Sequence, residues 1–138
     1  MVLNKYNGRC AYCGCELQKG WHVDHLRPVG RYYEAIRDEG GFVIRDEKGN
    51  SRKVMRMERP ENNHPENMVP SCASCNINKH GLSVEGFRNL INGFLNSLNQ
   101  RSTQYKFAKK YGLLEETGKP VLFYFETLED KHDPEFDT

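Results

Sequence analysis

Apolar residues recur with a clear period in only one long stretch of the chain. Val84, Phe87, Leu90, Ile91, Phe94, Leu95 and Leu98 keep the i, i+3, i+4, i+7 spacing of one helix face. With Ser83 as N-cap they predict a helix over 84–98 whose stripe is core. Ser102 or Thr103 caps a second helix through Lys110, which Gly112 closes. The continuous apolar run at 121–126 reads as a buried strand. Upstream, the runs are short. Residues 1–9 are a polar lead-in from which Leu3 and Tyr6 can pack. Leu17, Trp21 and Val23, set among polar residues, predict a strand within 16–26 that Pro28 stops, with Trp21 in the core. Tyr32, Ala35 and Ile36 sit at roughly helical spacing and predict a short helix over 31–39, broken at Gly40-Gly41. Residues 42–45 and 52–57 flank the polar stretch 47–50 and predict a hairpin. A loop at 61–66, a short strand at 67–70 and a helix over 73–80 ended by Gly81 follow. No internal repeat or low-complexity segment is expected.

A length of 138 residues implies one domain with at most a decoration, and 37% apolar residues with a mean hydropathy of −0.80 imply a thin core that gains from a staple. No apolar run is long enough for a transmembrane helix, and the first residues lack the apolar segment of a signal peptide, so a cytoplasmic protein is expected. The net charge of +1 hides an asymmetry. Of 20 basic and 19 acidic residues, two basic and eight acidic ones fall in 111–138, leaving 1–110 at +7. A basic body with an acidic tail fits a nucleic-acid binder, and equally an ordinary mixed surface with a solvated end. Arg52, Lys53, Arg56 and Arg59 on the second hairpin arm read first as charges that keep an edge strand from aggregating, with a phosphate backbone as their other use.

Five cysteines in a reducing compartment are poor disulfide candidates. Cys10/Cys13 and Cys72/Cys75 have the two-residue spacing of zinc knuckles, and a tetrathiolate site on them must bring distant segments together. Cys15 is left over as a packed or unused thiol. Four reduced core cysteines are the plain alternative.

Asp24-His25 places an oxygen ligand suited to a hard cation beside an imidazole that can take a proton near neutral pH. Downstream, Asn67 precedes the second cysteine pair, Asn76 follows it directly, and Lys79 lies one helical turn beyond. Together with the four cysteines, these residues resemble the HNH (ββα-metal) endonucleases over about 10–80. The resemblance implies an α+β fold in which two antiparallel strands and a helix clamp one divalent cation, often propped by a structural zinc. It divides the chain into a core at 1–82 carrying a β-hairpin insertion at 31–63, a helical extension at 83–127 ending in a strand packed on the core, and an acidic tail at 128–138. Asp24 and Asn76 match the cation ligands, His25 the general base, Asn67 the residue that pins the loop, and Lys79 the basic helix residue. Mg²⁺ or Mn²⁺ would serve catalysis, Zn²⁺ the fold, and DNA would be the substrate. Arg27, Arg31 and His80 are candidate DNA contacts by position, and Lys79 or Arg27 could add a cation to the phosphate. His22 reads as a surface histidine. A homodimer stays open. The rival is a non-catalytic zinc-binding module for nucleic acid or protein, which needs the cysteines but not the order Asp24, His25, Asn67, Asn76, Lys79.

Overall fold

The computed structural model describes residues 2–128. It is a small α+β fold with two two-stranded antiparallel sheets and four α-helices among the described residues. Strand β1 (His22–His25) pairs with β4 (Met68–Ser71), with Asp24 opposite Val69. Strand β2 (Arg31–Ala35) pairs with β3 (Lys53–Met57), with Tyr33 opposite Met55. Helix α1 (Ala73–Lys79) follows β4 directly, and α2 (Val84–Arg101), α3 (Thr103–Lys110) and the single turn α4 (Tyr124–Thr127) complete the order. Short 3-10 turns occupy Val2–Tyr6, Pro60–Asn62 and Pro65–Asn67. Among the described residues no helix is long and apolar enough to cross a membrane. The tail expected at 128–138 lies, from 129 on, outside the described residues.

The core is thin and largely aromatic. Cys10, Ala11, Tyr12, Leu26, Val69, Phe87, Phe123 and Phe125 form it. Phe87 of α2 stacks on Phe123 at 5.3 Å, and Tyr12 meets both edge-on at 5.6 and 5.4 Å, contacts worth about 0.5–1.5 kcal/mol each beyond area burial. Arg88, one residue on, covers the Phe123 ring at 4.9 Å and pairs with Glu126 at 2.7 Å. The C-terminal extension thus buttresses Tyr12, inside the first cysteine knuckle.

Four expectations about elements fail for identifiable reasons. Residues 31–35 are strand rather than helix: three residues at helical spacing are a weak signal, and the backbone groups find their partners across β3. From Lys53 on, segment 52–57 accordingly pairs with β2, and only Arg52 keeps the expected partner, its N–H donating to the Ile44 carbonyl. The run at 121–126 is not a strand. Phe123 and Phe125 are buried, but the N–H groups of Tyr124 and Phe125 donate to the carbonyls of Tyr12 and Ala11, and Glu126 accepts from Phe123 N–H to close a helical turn. The α2 stripe is core only at its start. Phe87 is buried and Val84 and Ile91 pack beside it, while Leu90, Phe94, Leu95 and Leu98 are exposed because the helix runs past the small core. Smaller departures are that strand 16–26 shrinks to β1, Trp21 is only half-buried, and His80 rather than Gly81 takes the positive φ (54°) after α1.

The insertion contains a repeat after all. Ile36-Arg37-Asp38-Glu39-Gly40-Gly41 and Ile44-Arg45-Asp46-Glu47-Lys48-Gly49 build the same turn twice. In each, the Asp Oδ1 accepts two backbone N–H groups, the Arg Nη1 donates to the carbonyl of the last Gly, and that Gly adopts φ near 80° (83° and 82°). The N–H groups of Ile36, Ile44 and Arg52, eight residues apart, donate in a closed ring to the carbonyls of Arg52, Ile36 and Ile44 at 2.9, 2.8 and 2.8 Å. The ribbon β2–β3 therefore ends in a three-way junction carrying two matched turns.

Candidate functional site

The two cysteine pairs meet. The sulfurs of Cys10, Cys13, Cys72 and Cys75 all lie within 4.8 Å of one another, close enough to hold a metal ion such as zinc. Cys13 and Cys72 are 3.9 Å apart; a tetrahedron with Zn–S bonds of about 2.3 Å has edges of about 3.8 Å. Cys72 caps α1, accepting the Cys75 N–H on sulfur at 3.4 Å, which is how a knuckle steadies a thiolate. In the bare thiol cluster the charge is shared unevenly. The hydrogen bond from Cys75 holds Cys10 down at about 4, and the same bond, with burial, pushes Cys75 up. A cation lets all four ionise together. Cys15, exposed beside this group, is pushed up to about 12, first by its hydrogen bond with Cys13.

Asp24 is buried and is joined to the first cysteine pair through Tyr12. Its Oδ2 accepts from the Tyr12 hydroxyl at 2.5 Å and from Lys79 Nζ at 3.1 Å, and Lys79 also donates to the His25 carbonyl at 3.1 Å. Burial, then the Asp24 charge, pushes the Tyr12 phenol well above its ordinary range, so it stays a donor. Lys79 is only 1% exposed. The expectation that its ammonium meets a phosphate is corrected, because the group is enclosed and committed to Asp24. What remains for a cation is Asp24 Oδ1.

Alternation along β1 places His22 and Asp24 on the face toward α1. There Asn76 Nδ2 donates to His22 Nδ1 at 2.8 Å, leaving Asn76 Oδ1 as a second oxygen donor. His22 is half-buried and holds Asn76, which corrects its reading as a surface histidine. His25 turns the other way, toward the end of the insertion, and is 6% exposed. Its Nε2 lies 3.0 Å from Asn63 Oδ1; the carbonyl oxygen accepts, so Nε2 carries a proton, and in the neutral ring Nδ1 has the lone pair. Asn67 is buried and closes the loop around this histidine. It donates to the carbonyls of Arg27 at 2.8 Å and Asn62 at 2.7 Å, and accepts from the Arg27 N–H at 2.9 Å.

Asp24, Asn76, Lys79, His25 and Asn67 thus converge on β1 and its flanks. Arg27, Arg31 and His80 are exposed, and Arg31 stands on the ribbon. Tyr12 and Asn63 were missed. A tyrosine between two knuckle cysteines is a usable signal for the first; nothing in the polar stretch 61–66 singles out the second. No family model, curated protein or solved structure matches the chain.

Proposed function

We propose that the chain is a divalent-cation-dependent DNA endonuclease of the HNH kind, hydrolysing phosphodiester bonds with His25 as general base. One observation supports this most: a buried imidazole, fixed through Nε2 on Asn63 with its Nδ1 lone pair kept, directly follows a buried carboxylate that retains one uncommitted oxygen. That is a base and a hard-cation ligand on adjacent residues, each held by neutral or cationic partners. The donors suit Mg²⁺ or Mn²⁺, which on Asp24 Oδ1 and Asn76 Oδ1 would neutralise phosphate charge as a Lewis acid. His25 Nδ1 takes the proton of the attacking water, whose oxygen bonds to phosphorus as the bond to the 3′-oxygen breaks. Asn63 keeps the ring aimed, and Asn67 keeps the strand end and the 58–67 segment together around it. Arg27, exposed one residue past Leu26, supplies the cation for the phosphate that Lys79 cannot. Zinc on the four thiolates has no open position and serves the fold.

The test is nicking of supercoiled plasmid with Mg²⁺, by the parent and by His25→Ala. The parent should cleave and stop when metal is chelated. His25→Ala should bind DNA as the parent does and cleave about 10²–10⁴-fold more slowly. A folded, zinc-loaded parent that binds DNA and never cleaves would move the reading to a zinc-dependent binding module.

A further inference from the structure

The two faces of the β2–β3 ribbon differ in chemistry. Cross-strand pairing sets Arg31 with Met57, Tyr33 with Met55 and Ala35 with Lys53 on one face. Tyr32 with Arg56 and Glu34 with Val54 share the other, where Glu34 and Arg56 form an ion pair at 3.2 Å. The first face carries no acidic residue. Among the described residues neither Arg31 nor Lys53 has an ionic partner. Between them stand Tyr33, 69% exposed, and Met55, 40% exposed. Asp38 and Asp46, beyond the ribbon, are each occupied by two backbone N–H groups of their own turns. Basic residues alone would serve to protect an edge strand. A protruding tyrosine opposite a methionine does not help that purpose, since it adds apolar surface.

We infer that this face of the ribbon enters the major groove of duplex DNA. Tyr33 and Met55 meet base edges, and Arg31 and Lys53 reach phosphates on either side. The inference rests on the endonuclease reading and names how that site would meet its substrate. Three observations carry it. The face is cationic without acidic residues, matching a polyanion. The element is a two-stranded antiparallel ribbon with no third strand among the described residues, which the B-form major groove admits and the deep, narrow major groove of duplex RNA does not. Its base is built into the candidate site. Glu58 N–H donates to the Gly30 carbonyl, Arg59 Nε and Asn62 Nδ2 both donate to the Pro28 carbonyl, and Asn63 holds His25. Five residue pairs at about 3.3 Å each give an arm of about 17 Å leading away from His25.

The experiment measures binding of the full zinc-loaded chain to a labelled duplex by fluorescence anisotropy across a salt series, with Ca²⁺ replacing Mg²⁺. Arg31→Ala/Lys53→Ala should weaken binding about tenfold and make the slope of log affinity against log salt shallower by about 2. Tyr33→Ala should weaken binding without changing the slope. Lys106→Ala/Lys110→Ala, which removes the same charge from α3, should leave the slope at the parental value. Parental affinity and slope in Arg31→Ala/Lys53→Ala, with the parent still nicking plasmid, overturn the ribbon surface and leave the endonuclease reading standing. Equal affinity of the parent for duplex RNA overturns the groove assignment. A parent that neither binds nor cleaves DNA overturns both readings.

Discussion

Tyr12, set between the cysteines of the first pair, donates its hydroxyl hydrogen to Asp24 Oδ2. That bond ties the thiol cluster to the acid of the candidate site. The ring is clamped edge-on by Phe87 and Phe123, so the C-terminal extension, the knuckle and the carboxylate form one packed unit. Disturbing the cysteines should therefore disturb Asp24, and removing the hydroxyl should be felt at the cation.

Tyr12→Phe keeps the packing and deletes only the donor. Losing a hydrogen bond to a buried carboxylate should destabilise the fold by about 1.5–3 kcal/mol. Urea unfolding measures it, and a change below experimental error would show that Asp24 does not depend on Tyr12.

Lys79→Met removes the cation from a buried pair whose side chains are 1% and 10% exposed. Breaking such a pair on one side should cost about 3–5 kcal/mol, because Asp24 is left charged and enclosed. Lys79→Met/Asp24→Asn should recover part of that loss. If the single and double variants unfold at the same urea concentration, the two groups are not coupled.

The four thiolates should carry one zinc per chain. Structural zinc can contribute on the order of 10 kcal/mol of apparent binding free energy to folding. Cys72→Ser should thus lose metal and fold together, whereas Cys15→Ser should keep both. Elemental analysis with circular dichroism decides it, and a folded parent without zinc contradicts the claim.

His22 and Asn63 should act through the residues they hold. Asn63→Ala should lower the cleavage rate while leaving the Mg²⁺ requirement at its parental value, since it frees the His25 ring alone. His22→Ala should raise the Mg²⁺ concentration needed for half-maximal cleavage, with excess metal restoring activity, since it frees Asn76. A Mg²⁺ titration of both variants separates these effects, and the reverse pattern would exchange the two roles.

Local chemistry was legible in the sequence. The Ser83 and Ser102 caps, the helices they start, and the two cysteine pairs follow from residues within a turn or two of one another. The order of Asp24, His25, Asn67, Asn76 and Lys79 could be read as well, though only through its resemblance to a known motif. The eight-residue repeat at 36–49 was also written there; it escapes notice because it is much shorter than the roughly 20–50-residue periods that mark repeat folds. The tertiary structure alone decided which long-range partners meet. His25 reaches Asn63 across 38 positions and the His25 carbonyl reaches Lys79 across 54. It also turned 31–35 into a strand, enclosed Lys79 and left the far half of the α2 stripe exposed. The physical reason is common to all of these. Caps and periodicity act between neighbours along the chain, whereas burial and pairing depend on which surfaces the remaining residues bring into contact.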